Sequence, residues 1–247
     1  MHALEFIIEW LPVTLQAWIL FLLCRKGLYR RFPLFLLYTV VQIVTGLALA
    51  ASVGSKGYFY LFWWTTALQG LLSVLALHEG FRAVFGTFYR LPWFRRLWPA
   101  TVSVIWAYAA WRAWAHPLHF TRTGAMLVSV AIVASYTIVG LVLLFFLVVK
   151  VVRARYRLYE FNIVYGLGIT ALGLMIGALV RSEFGTKFAW ITEWGPTLAY
   201  LVAVLVWLSA FLRKESPVKI QKPPDVLLQE MQDDLSIVQR IFRRSAR

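Results

Sequence analysis

Seven apolar runs, each long enough for a helix that crosses a bilayer, follow one another with short basic connections. At 1.5 Å per residue, roughly 20 apolar residues cover the roughly 30 Å of hydrocarbon in a membrane. The runs are Ala3–Cys24, Pro33–Val53, Tyr58–Leu77, Leu97–Ala115, Ala125–Val149, Phe161–Val180 and Gly195–Leu212. They assign residues 1–212 to one transmembrane domain and leave no connection long enough for a separate folded domain. With 61% hydrophobic and 15% charged residues, the chain is excluded from the soluble globular and disordered classes. The expected fold is an all-α, seven-transmembrane-helix bundle.

The basic residues give this bundle a direction. Arg25, Lys26, Arg30 and Arg31 follow the first run, Arg82, Arg90, Arg95 and Arg96 the third, and Lys150, Arg153, Arg155 and Arg157 the fifth. Another eight lie beyond the seventh, whereas the opposite ends carry only Lys56, Arg112, Arg122, Arg181 and Lys187. Lys and Arg near span ends resist translocation, so the N-terminus is expected outside and the C-terminus in the cytoplasm of a bacterial inner membrane. Net charge +14 is therefore a topology signal, and nucleic-acid binding is not expected from charges placed at membrane boundaries. No basic n-region or cleavage site precedes the first run, so no removable signal peptide is expected. Nine of the 12 tryptophans fall near span ends, while Trp18, Trp106 and Trp207 lie deeper and read as packing residues or pocket walls.

Polar groups are costly in hydrocarbon and are expected to face other helices or a cavity. Gln16, Gln42 and Gln69 lie near the middle of the first three runs, where they either bond across helices or converge on a small polar pocket. Gly166, Gly173 and Gly177 share one face of the sixth run, with Gly168 beside them. That face suits close packing within the bundle, a homodimer seam or a sliding surface.

One charged constellation stands out. His78, Glu79 and Arg82 close the third run; the acid and guanidinium are spaced to pair on a helix, with the imidazole beside them. This cluster either anchors the helix at the interface or gates a proton- or ligand-linked change. His116 and His119 have the spacing of a metal pair but no nearby third ligand, and the lone Cys24 excludes disulfides and cysteine-based zinc sites. No metal or cofactor is expected. No lysine lies inside a run to carry a retinal Schiff base, no arginine repeat forms a voltage sensor, and no mid-span carboxylate suits a pump. Nucleophile-elbow, zinc-protease and phosphate-loop motifs are absent, so enzymatic chemistry is not the expected role.

Beyond the seventh run, residues 213–224 are charged and hold Pro217, Pro223 and Pro224, which reads as a linker. Residues 225–247 then pattern as a cytoplasmic amphipathic helix whose stripe includes Leu228, Met231, Leu235, Val238 and Phe242. That stripe is expected to rest on the membrane surface, on its twin in a dimer or on a cytoplasmic protein partner.

Arg-Phe-Pro-Leu-Phe at residues 31–35 and His-Glu-Gly-Phe-Arg-Ala-Val-Phe at residues 78–85 resemble segments of a group of uncharacterised seven-helix bacterial integral membrane proteins. The likeness covers mainly the first three runs and implies a heptahelical membrane protein, without an activity. The layout also resembles the seven-helix sensor regions that precede bacterial kinase domains. The expected role is a receptor-like or accessory sensor of a small or lipophilic ligand. A small-molecule or lipid transporter, or an enzyme acting at the inner headgroup level, are the alternatives.

Overall fold

The computed structural model describes residues 2–55, 57–86, 88–115, 122–152, 158–184 and 188–213. Within them lie seven α-helices: α1 (His2–Arg25), α2 (Pro33–Ala51), α3 (Tyr58–Phe85), α4 (Pro92–Ala115), α5 (Arg122–Val152), α6 (Leu158–Phe184) and α7 (Ala189–Leu212). Single 3-10 turns at Leu28–Arg30 and Phe88–Arg90 interrupt the α1–α2 and α3–α4 connections. Five helices hold stretches long and apolar enough to cross a membrane: Pro33–Ala51, Tyr58–Phe85, Val133–Val151, Leu158–Gly177 and Trp194–Leu212. The chain is a helical membrane protein. α1 contributes the shorter apolar stretch Trp10–Arg25, and α4 carries Arg95 and Arg96 near its start. The linker beyond Arg213, the amphipathic segment with Leu228, Met231, Leu235, Val238 and Phe242, and the His116–His119 pair lie outside the described residues.

Local chemistry sets the helix ends. Pro33 and Pro92 open α2 and α4, where a missing N–H costs nothing and a preset φ suits the first turn. Gly27 turns the chain out of α1 with φ 66°, a left-handed conformation that side chains resist. α3 runs past Leu77 because Phe81 and Phe85 continue its buried stripe while Arg82 points outward. α7 begins at Ala189 and so takes in the aromatic stretch before Gly195.

Contacts run from α1 to α2, α2 to α3, α3 to α5, α5 to α6, α6 to α7 and back to α1, a closed ring crossed by contact between α3 and α6. α4 packs against α5, beside the ring. Each interior stripe follows helical spacing; Pro12, Gln16, Ile19 and Leu23 form it on α1. That stripe puts Trp18 on the opposite side, 53% exposed, and Trp106 of α4 likewise faces outward, so of the three deep tryptophans only Trp207 packs inside. Outward-facing Leu71, Leu143 and Leu147 are over half exposed, as expected where the surroundings are lipid.

The closest seam joins α6 and α7. Gly166 lies directly against the indole of Trp207 and Gly173 against Ala199, with Gly177 buried further along the same helix. A Cβ at Gly166 would overlap the Trp207 ring. The glycine face is thus taken up within the chain, and Trp207 Nε1 adds a 3.3 Å hydrogen bond to the Ile163 carbonyl.

Candidate functional site

Two groups of polar side chains occupy the interior, one at the end of the bundle where α1, α3, α5 and α7 finish and one about halfway along it. The first is built from charges that reach across to other helices. Glu79, near the end of α3, accepts the backbone N–H groups of Leu34 (3.2 Å) and Phe35 (3.0 Å) in the first turn of α2. A helix begins with four N–H groups that lack intrahelical acceptors and carries a partial positive charge there, so a carboxylate is a well-matched cap. The expected pairing of Glu79 with Arg82 is not formed: both carboxylate oxygens are engaged by α2, and Arg82 is exposed.

Glu160, in the first turn of α6, pairs with Arg31 just before α2. Its carboxylate is almost fully buried, the Arg31 side chain is 25% exposed, and Glu160 Oε2 has no partner. Lys26, just beyond α1, donates to the carbonyls of Phe211 and Arg213 at the end of α7, the latter at 3.2 Å. Tyr159 donates a second hydrogen bond, 3.0 Å, to the Arg213 carbonyl and lies under the Lys26 ammonium. A cation at a helix C-terminus is the electrostatic counterpart of Glu79 at an N-terminus.

His78 takes no part in these pairs. Its ring stacks on Trp98 at 4.9 Å and faces Tyr89 at 6.1 Å, within a cluster formed by Phe81, Phe85, Phe88 and Phe94. Burial pushes the Tyr89 phenol above its ordinary value, and the charge of Arg82 draws it part of the way back. Neither His78 Nδ1 nor the Tyr89 hydroxyl has a hydrogen-bond partner. Among the described residues no three His, Cys, Asp or Glu side chains come together to hold a metal.

The second group is neutral. Gln42 Nε2 donates to the Tyr38 hydroxyl at 2.8 Å, and Ser73 of α3 also hydrogen-bonds that hydroxyl. Gln69 Nε2 donates to Thr45 Oγ1 at 2.6 Å, joining α3 to α2. Tyr200 of α7 is close enough to Tyr38 for the two hydroxyls to interact electrostatically. Gln16 is 2% exposed, and its Nε2 has no partner. Of the three glutamines expected to converge, Gln42 and Gln69 therefore bond to different hydroxyls, and none bonds to another.

Helix register nevertheless puts Gln16 at the depth of this group. Gly46 of α2 lies against Val13 of antiparallel α1, which sets Gln16 opposite Gln42 and Ile43. α1 and α7 run parallel with Lys26 at the level of Phe211 and Arg213, so Gln16 is level with residues 201–203, within a turn of Tyr200. This depth is about 15 Å from Lys26 along α1.

Aromatic rings fill the space between the two groups. Tyr38 packs edge-on to Trp207 (5.9 Å), Trp207 to Phe35 (5.2 Å), Phe35 against Phe211 (5.9 Å) and Phe211 against Tyr159 (5.4 Å). Lys26 and Arg31 enter the sequence reading only as charges that set topology, and Glu160 does not enter it. A sequence signal for Glu160 does exist, since an acid between Tyr159 and Phe161 at the start of an apolar helix is out of place unless paired. Tyr38 has no such signal, because a tyrosine within an apolar run looks like packing. Comparison with protein-family models, curated proteins and solved structures gives no match.

Proposed function

We propose that the chain is a receptor-like membrane protein that senses a small lipophilic ligand halfway across the bilayer and passes the change to a cytoplasmic partner through the end of α7. In this reading all seven helices span a bacterial inner membrane, with the N-terminus outside. The observation that carries it is the unbroken aromatic column from Tyr38 to Phe211, ending where Lys26 holds the last carbonyls of α7. In sequence, the C-terminal segment follows from that point. The enzyme alternative rests on His78 and Glu79, and it is weakened because both Glu79 oxygens are engaged by α2.

Packing between two places becomes transmission only when one displaces the other. A spin label at Arg213→Cys, in a Cys24→Ser background in lipid nanodiscs, measures that displacement. Substituting Tyr38→Phe or Phe35→Leu is expected to change the label's mobility, as is Lys26→Met. A response to Lys26→Met alone would discard the sensor reading. Orientation has a separate check, because Cys24 is the sole cysteine, is exposed, and lies at the Lys26 end. A membrane-impermeant maleimide is expected to modify it in inside-out vesicles and to leave it unmodified in intact spheroplasts.

A further inference from the structure

We infer that Gln16 and Tyr200 form a binding site for one neutral carbonyl oxygen of a chain-bearing lipophilic molecule, an inference that rests on the sensor reading and names its ligand class. Gln16 Nε2 is a buried donor with no acceptor, and the Tyr200 hydroxyl makes no hydrogen bond among the described residues. Both sit on touching helices at one depth, next to a Tyr38 hydroxyl already engaged by Gln42 and Ser73. An unpaired donor in a low-dielectric interior carries a desolvation penalty that an acceptor removes.

The surroundings specify that acceptor. Residues 10–24, 34–51 and 194–212 contain no Lys, Arg, His, Asp or Glu. A carboxylate or phosphate would therefore be buried there without a countercharge, which excludes anions. A hydroxyl would bring a donor of its own to a place where the Gln16 amide already lacks an acceptor. A carbonyl oxygen has two lone pairs, enough to accept from Gln16 and Tyr200 together, and adds no donor. The depth and the apolar walls require the remainder of the molecule to be hydrocarbon. Because Gln16 Nε2 is fully enclosed, the ligand has to part α1 from α7 or α2 to reach it. Binding and helix displacement are then one event, and the α1–α7 contact it strains is the one Lys26 closes.

The test uses the full chain in phosphatidylcholine nanodiscs, with carbonyl-¹³C-labelled 2-tridecanone as probe and tridecane as the matched hydrocarbon. Infrared difference spectra are expected to show a saturable carbonyl band at lower frequency than that of the ketone in protein-free discs. Unlabelled ketone displaces it and tridecane does not. Gln16→Leu and Tyr200→Phe each remove one neutral hydrogen bond and are expected to weaken binding about fivefold. Neither strands a protein acceptor, so both fold, which helical circular dichroism and monodisperse elution verify. A band no different from that in protein-free discs, or one unchanged in both variants, overturns the site. So does a Gln16→Leu protein that melts higher and binds the ketone as before, since the amide is then a packing defect. The two readings fail separately. A shifted band with no response of the Arg213→Cys label retains the site and ends the sensor reading, while a label that responds to Tyr38→Phe with no shifted band does the reverse.

Discussion

At the charged end of the bundle the ions are paired across helices, yet His78 Nδ1, the Tyr89 hydroxyl and one Glu160 oxygen there stay without partners, as the Gln16 amide does in the neutral layer halfway along it. At the charged end each carboxylate is tied to another element: Glu79 caps α2 and Glu160 holds Arg31, while Lys26 closes α7. In the layer, the Gln69–Thr45 hydrogen bond joins α3 to α2, yet the Gln16 amide is left without an acceptor. Charges cannot be left that way, because an uncompensated ion in low dielectric costs several kcal/mol more than an unpaired amide. The paired carboxylates of the charged end therefore read as architecture, and in the neutral layer the Gln16 amide is the group to which a ligand has something to offer.

Glu160→Ala is the strongest way to break that contrast. It removes the carboxylate beside an Arg31 side chain that is three-quarters buried, and an unfolding free-energy loss of about 3 kcal/mol is expected, the low end for a severed buried pair because Arg31 keeps some solvent. Thermal unfolding in nanodiscs measures it. Glu160→Gln keeps the volume and an acceptor, and is expected to recover part of the loss. A variant as stable as the parent would move this pair from architecture to surface decoration. Glu79→Ala comes next, at about 2 kcal/mol, since two first-turn N–H groups of α2 lose a charged acceptor that is itself only half-buried. Amide exchange should accelerate at Leu34 and Phe35 and stay unchanged in the middle of α2; uniform acceleration along α2 would contradict a cap.

Much of the layout was legible in the sequence, for reasons that also explain what was not. Run length and Lys/Arg placement depend on properties each residue carries alone, so the helices and their charged end follow from inspection. The cap at Glu79 was hidden because its partners are backbone amides, which leave no mark on the identities of Leu34 and Phe35. Glu160 went unread, since its burial beside Arg31 is a contact that only the fold assembles. The cost of a polar group in hydrocarbon placed Gln16 inside the bundle correctly. It could not show that Gln42 would turn to Tyr38 and Gln69 to Thr45, because on a helix of uniform hydrophobicity the choice among hydroxyls is made by the neighbouring helix. Trp18 was misplaced for a related reason, since in lipid a large apolar side chain faces outward as readily as inward.

The smaller effects sharpen the contrast where the two regions meet. Gln69→Leu removes one neutral interhelical hydrogen bond and is expected to cost about 1 kcal/mol or less, in the range of such bonds in membrane proteins. Lys26→Met should change global stability least, by no more than about 0.5 kcal/mol, because its exposed ammonium exchanges backbone acceptors for water. Its local effect should nevertheless be the most visible. Without the cation, the final carbonyls of α7 retain only Tyr159, and that single bond reaches Arg213 but not Phe211. Fraying of the last turn should therefore appear as faster amide exchange over residues 210–213 while the Trp207 region stays protected. If exchange instead rises throughout α7, Lys26 supports the α1–α7 packing as a whole, and the end of α7 cannot move independently of the layer. If exchange does not change, the clasp carries no restraint, and whatever reaches the C-terminal segment must pass through α6 and Tyr159.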